Sequence, residues 1–104
     1  MHGLDRNGYA QSILPEHDEM SCWWCGANGR GKMDRHEVFG GPYRQKSKRL
    51  GLWVHLCHDQ CHLNGVHLKL WMAKHLKAEA QKCAMKEYGW TEEEFIREFG
   101  KNYL

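Results

Sequence analysis

The sequence predicts a small α+β domain in which two strands are followed by helices. Three observations support this fold class. Two segments rich in β-branched and aromatic residues lie in the middle of the chain, apolar residues recur with a helical period in its C-terminal third, and cysteines occur in two close pairs. With 104 residues, of which 41% are hydrophobic, the chain can form one domain with a modest core.

The two strands are predicted on either side of a basic connection. Apolar and polar side chains alternate over residues 33–39, as in a half-buried strand, and His36 is one of the polar members. Glycines and a proline at 40–42 end this segment. Residues 43–49 are predicted to form a loop or short helix, and 52–56 form a second strand rich in β-forming residues. We expect the two strands to be antiparallel neighbours.

Two helices are predicted after the strands. An apolar stripe that recurs every three or four residues indicates a helix from about residue 67 to Gly89. The stripe consists of Leu68, Met72, Leu76, Ala80 and Cys83. Cys83 is therefore expected to be a core thiol. A shorter helix is predicted between Thr91, its N-cap, and Gly100, because Glu94 completes a capping box.

The N-terminal residues show little periodicity. Residues 1–20 mix Gly, Asn, Asp and Pro, which predicts a loosely ordered arm before a folded domain over 21–104. The chain has no run of about 18 apolar residues and its first residues lack the apolar stretch of a secretory signal. We therefore expect a cytoplasmic protein without a membrane segment.

The cysteine pairs have the spacing of metal ligands. Cys22 and Cys25 are separated by two residues, and Cys57 and Cys61 by three. Two such turns present four thiolates, which is the tetrahedral set that a structural Zn²⁺ prefers. Two alternatives stay open: the cysteines are reduced core residues unrelated to a metal, or His62 replaces Cys61 in the zinc shell.

The charge distribution predicts an anionic partner. Lys and Arg greatly outnumber Asp and Glu over residues 30–49, although the whole chain has a formal net charge of only +2. The candidates for contacts with DNA phosphates in this segment are Arg44, Lys46, Lys48 and Arg49. The alternative is a solvated basic loop.

Three histidines suggest hydrolysis of a phosphodiester bond. That reaction requires a base that activates water and a divalent ion that neutralises charge on the phosphate and the leaving oxygen. His36 on the first strand suits the base, because an imidazole is largely neutral at pH 7. His62 and His67, at the start of the long helix, are placed to hold Mg²⁺ or another divalent ion. His36 as a merely polar strand residue is the alternative.

The order of these motifs resembles a known family. The first cysteine pair is followed by the runs RHEVFGGPYR, SKRLGLWVHLC and FGKNYL, with CH and VH between the last two. Over residues 22–104 this pattern resembles small phage and prophage proteins of the HNH, or His-Me finger, nuclease superfamily. The resemblance implies a ββα-metal core beside a structural zinc, additional C-terminal helices, and single-metal cleavage or nicking of DNA.

The resemblance also implies roles for individual residues. His36 matches the strand histidine, and His62 and His67 match the late metal-binding histidines. In many HNH proteins the strand carries Asp-His or His-His, whereas here the pair is His36-Glu37, so Glu37 occupies the base position if His36 binds the ion. The middle Asn of the motif, expected before Cys57, is absent. The alternative function is a catalytically silent zinc module that binds nucleic acid or a protein partner.

Overall fold

The structure is a computed structural model that describes residues 3–15, 21–26 and 32–104. Two strands precede the longest helices, which confirms the predicted α+β class. In chain order the elements are β1 (Met33–Glu37), a 3₁₀ turn (Gly41–Tyr43), α1 (Arg44–Arg49), β2 (Trp53–Cys57), a π-helical segment (His58–Val66), α2 (Leu70–Tyr88) and α3 (Glu92–Phe99). Two parts of the sequence-based predictions lie outside the described residues. These are the end of the N-terminal arm, near residue 20, and Arg30 of the basic segment.

The sheet consists of β1 and β2, paired antiparallel as predicted. Asp34 lies opposite Leu56, and His36 lies opposite Val54. Because successive side chains of a strand point to opposite faces, Asp34 and His36 share one face of β1 and Arg35 and Glu37 share the other. This alternation divides the polar residues of β1 into two groups with different surroundings.

Helix α2 begins later than the sequence predicted. Residues 58–66 form the π-helical segment, and Lys69 has an extended backbone as the N-cap, so the first helical residue is Leu70. The placement of Leu68 on the buried stripe is therefore wrong, since this side chain is 71% exposed. Buried on α2 are Met72, Leu76, Ala80, Gln81 and Ala84. The predicted end at Gly89 is confirmed, with a left-handed φ of 67°.

Helix α3 has the predicted capping box. The Thr91 side chain accepts a hydrogen bond from the Glu94 backbone N–H, and the Glu94 carboxylate accepts one from the Thr91 backbone N–H. The helix buries Phe95 and Phe99 against Phe39, which follows β1. Helix α3 thus packs against the segment that joins β1 to α1.

Residues 3–15 run along the domain and contact it through their backbone. The Ala10 N–H donates to the Lys48 carbonyl at 2.9 Å, and the Ile13 N–H donates to the Gly51 carbonyl at 2.9 Å. Ala10 and Leu14 are buried. The described part of the N-terminal arm therefore forms one wall of the domain. None of the helices in the described part of the chain has the length and apolar content needed to cross a bilayer.

Candidate active site

Four cysteines meet where the turn at residues 22–25 adjoins the end of β2. Their sulfur atoms lie within 4.8 Å of one another in the set Cys22, Cys25, Cys57 and Cys61. Two of these side chains, Cys22 and Cys61, are buried. Cys61 supplies the fourth ligand atom of this set. The alternative in which His62 replaces Cys61 as a zinc ligand is therefore not observed. The cluster could bind a structural metal such as zinc.

Electrostatics inside this cluster also fit a cation. Burial alone would raise the pKa of Cys22, but backbone N–H groups of Cys25, Cys57 and Trp24 outweigh burial and hold that pKa below its ordinary value. Burial raises the pKa of Cys61, and the adjacent Cys57 and Cys22 sulfurs raise it further. Four thiolates this close repel one another, so they need a cation to be present together.

A second cluster contains the three histidines that the sequence singled out. The Nε2 atoms of His62 and His67 are 2.9 Å apart. The ring of His36 lies across from them, with its centroid 5.2 Å from that of His62 and 5.5 Å from that of His67. One ligand nitrogen from each ring falls within 4.8 Å of the others. The fold therefore brings β1 and the residues after the second cysteine pair together at one point.

His36 is neutral in this environment. Burial, followed by the positive charges that His62, His67 and Lys77 can carry, lowers the pKa of His36 to about 3. Burial and the charge of His62 also lower the pKa of His67. A neutral imidazole has a lone pair free at pH 7 that can bind a metal ion. A pKa this far below 7, however, weakens the ring as a proton acceptor until an anion in the cleft raises that pKa.

Asp34, which is not among the residues selected from the sequence, joins this cluster. Its Oδ2 lies 2.6 Å from His58 Nδ1 and 2.8 Å from His62 Nδ1. Burial would raise the pKa of Asp34, but hydrogen bonds from His58 and His62 outweigh burial and lower it. The ring of His58 is partly buried and bonded to Asp34.

Two local signals could have identified these residues. Asp34 precedes His36 by two positions on a strand, which places both on the same face. His58 and His62 each follow a cysteine of the second pair directly. The contact between the two segments, however, follows from the antiparallel pairing of β1 and β2.

Glu37 lies on the other face of β1. Its Oε1 is 2.5 Å from Arg44 Nε, and its carboxylate is only 10% exposed. It also contacts Tyr9: burial and then the charge of Glu37 raise the pKa of the Tyr9 hydroxyl. The structure thus brings His36 next to His62 and His67, whereas Glu37 is engaged by α1 and the N-terminal arm.

A cleft of about 460 Å³ opens beside the histidines. Three of its lining residues are cationic: Arg35 from β1, Arg44 from α1 and Lys77 from α2. Tyr9 forms part of the wall. Lys77 was not selected from the sequence, because it is separated from the basic segment and only the packing of α2 against the π-helical segment places it here. Arg35 is paired with Asp5, and Arg44 with Glu37, which also lines the cleft, so these carboxylates offset part of the positive charge. The cleft is large enough for a phosphodiester group.

The other predicted phosphate contacts are placed differently. Among the described residues, Lys46 donates to the Glu98 carbonyl at 2.7 Å and pairs with its carboxylate at 3.3 Å, which ties α1 to α3. Lys48 Nζ lies 4.6 Å from the centroid of the Tyr9 ring. Arg49 is exposed. Of the four predicted residues, Arg44 is the one that lines the cleft in the described part of the chain.

The chain was compared with protein-family models, curated proteins and solved structures. None of the three comparisons gives a match.

Proposed function

We propose that this protein is a metal-dependent endonuclease of the HNH type that cleaves or nicks DNA. In this proposal Cys22, Cys25, Cys57 and Cys61 hold a structural Zn²⁺, and a second divalent ion, Mg²⁺ or another, is held beside His36. The protein acts in the cytoplasm of a bacterial cell and is encoded by a phage or prophage, as the motif resemblance implies.

One observation carries the proposal. The Nε2 atoms of His62 and His67 approach to 2.9 Å and face the ring of His36 at the edge of a cationic cleft. Two imidazole nitrogens at this distance either share a proton or bind the same metal ion. A divalent ion held by His62 and His67, with His36 as a neutral base opposite, would suit phosphodiester hydrolysis. The four-cysteine cluster next to this pair supports the same assignment, because Cys61 and His62 are adjacent in the chain.

The chain's own groups have separate tasks. Arg44 and Lys77 contact the phosphates and position the scissile bond in the cleft. His36, kept neutral, accepts a proton from the attacking water. The divalent ion, when bound by His62 and His67, supplies positive charge for the phosphate and the leaving 3′ oxygen.

The structural zinc suits a protein with a small core. The cysteine cluster links the turn at residues 22–25 to the end of β2, and the histidines that hold the second ion lie in the segment that follows. A metal that fixes the second cysteine pair therefore also fixes the backbone on either side of His62.

A nicking assay tests the proposal. Supercoiled plasmid is incubated with zinc-loaded protein and Mg²⁺ or Mn²⁺, with and without excess chelator. We expect metal-dependent nicking that is lost in His67→Ala and strongly reduced in His36→Ala. The matched control is His75→Gln, whose imidazole is on α2 but packs against Trp24, away from the cleft.

Several results would contradict the proposal. DNA that shifts in a gel but is never cut, with any divalent ion, would support the alternative of a catalytically silent zinc module. Equal cleavage by wild type, His36→Ala and His67→Ala would mean that the activity comes from another site or a contaminant.

A further inference from the structure

Asp34 contacts two histidines but has no role in the reaction proposed above. A single oxygen of its carboxylate, Oδ2, is within hydrogen-bond distance of the Nδ1 atoms of both His58 and His62. The two histidines are four residues apart in the π-helical segment, so the carboxylate on β1 is clamped between them. Its side chain is only 18% exposed.

The chemistry of these atoms determines where the protons lie. An ionised carboxylate can only accept hydrogen bonds, so the Nδ1 atoms of His58 and His62 must both be donors. A neutral imidazole carries one N–H, and in His62 it is therefore at Nδ1. The lone pair of His62 is then at Nε2, the atom that lies 2.9 Å from His67 Nε2.

We infer that Asp34 is a positioning residue that holds His62 in the Nδ1–H tautomer and aims its Nε2 at the site of the second ion. The inference rests on the proposed function in so far as His62 and His67 hold that ion. A carboxylate behind a ligating imidazole fixes the tautomer and orientation of the ring and raises its basicity. Asp34 would act in this way through His62, without touching the ion or the DNA.

A different use of the same residues has to be distinguished. Asp34, His58 and His62 also offer three ligand atoms within 4.8 Å, so an ion could lie among them. That arrangement would require both Nδ1 atoms to give up the protons that now bond the carboxylate. It would also turn the lone pair of His62 away from His67. The two hydrogen bonds at 2.6 and 2.8 Å favour the positioning role.

The first test needs no variant. Long-range ¹⁵N–¹H correlation spectra of zinc-loaded wild-type protein, recorded without a second ion at about pH 8, above the ordinary pKa of an imidazole, report which ring nitrogen carries the proton. We expect Nδ1–H for His62 and His58. A His62 ring protonated at Nε2 would overturn the inference.

The second test measures the ion. Ni²⁺, an ion that imidazole suits, is titrated calorimetrically into zinc-loaded protein. We expect Asp34→Ala to weaken Ni²⁺ binding by about 10- to 100-fold and to abolish the preference of His62 for Nδ1–H. Asp34→Asn, which keeps an acceptor oxygen, should retain the tautomer and lose less affinity. The control Asp59→Ala, an exposed carboxylate of the same segment, should bind Ni²⁺ like wild type.

The variants also separate the competing explanations. His67→Ala should weaken Ni²⁺ binding strongly, and His58→Ala should have little effect. A strong loss in His58→Ala with wild-type Ni²⁺ binding in His67→Ala would instead assign the ion to the Asp34, His58 and His62 set. Wild-type affinity in a folded Asp34→Ala would exclude any positioning role. Neither readout uses DNA, so a protein that never cleaves would overturn the nuclease proposal while leaving this inference intact.

Discussion

Glu37 is paired with Arg44, with Oε1 and Nε 2.5 Å apart, on the face of β1 opposite to His36. Both residues that compete for the role of base line the cleft, but the carboxylate of Glu37 is engaged by this ion pair. The ion pair holds the Glu37 carboxylate against α1, whereas the base has to reach a water molecule beside His62 and His67. His36 instead faces His62 and His67.

The first prediction follows from this arrangement. His36→Ala should lower the plasmid-nicking rate on the order of 10²- to 10⁴-fold, the usual effect of losing a general base, with DNA affinity and zinc content unchanged. Glu37→Gln should lower it far less. If Glu37→Gln abolishes nicking while His36→Ala loses the second ion, the two roles are exchanged.

The second prediction concerns the cysteine cluster. Purified protein should contain one Zn²⁺ per chain, and Cys22→Ser should lose it and melt at a lower temperature. In a domain of this size each loss of about 1 kcal/mol lowers Tm by about 4–8 °C. Cys83→Ser, at a cysteine outside the cluster, is the control and should keep its zinc. Metal analysis that finds no zinc in the wild type would contradict this assignment.

The third prediction distinguishes two sets of DNA contacts. Lys77 lines the cleft, whereas Lys46, Lys48 and Arg49 do not, so Lys77→Ala should reduce the slope of log K against log salt by about 1. Binding is measured in the His36→Ala background, and Lys74→Ala on the same helix is the control. The triple variant of Lys46, Lys48 and Arg49 tests the phosphate contacts assigned from the sequence. A larger reduction of the salt slope in this variant than in Lys77→Ala would place the DNA contacts outside the cleft.

The fourth prediction tests the contact between the N-terminal arm and the domain. Gly51 has a left-handed φ of 74°, and a Cβ at this position would meet the carbonyl oxygen of Gln11. Gly51→Ala should therefore destabilise the protein on the order of 1–3 kcal/mol, measured by chemical denaturation. Gly89→Ala, at a left-handed φ of 67° where a Cβ meets nothing within 4 Å, is the matched control. Equal stability of the two variants would mean that residues 3–15 do not pack as described.

Much of the fold could be predicted because its signals are local. The alternation around His36, the capping box at Thr91 and the glycine that ends α2 each depend on residues within a few positions of one another, and all three are confirmed. The predicted start of α2 was wrong because nothing in the local sequence pattern marks the π-helical segment that precedes it. Leu68 has the spacing of a core residue but precedes the first turn of the helix.

The sequence by itself determined which chemical groups are present and which of them share a turn or a strand face. It therefore indicated the cysteine pairs and the histidines His36, His62 and His67. Only the tertiary structure decided their partners: Asp34 with His62, 28 residues apart, and Glu37 with Arg44 and Tyr9. The physical reason is that a hydrogen bond between distant segments depends on strand register and helix packing, which are set by burial over the whole core and not by the spacing of the residues that bond.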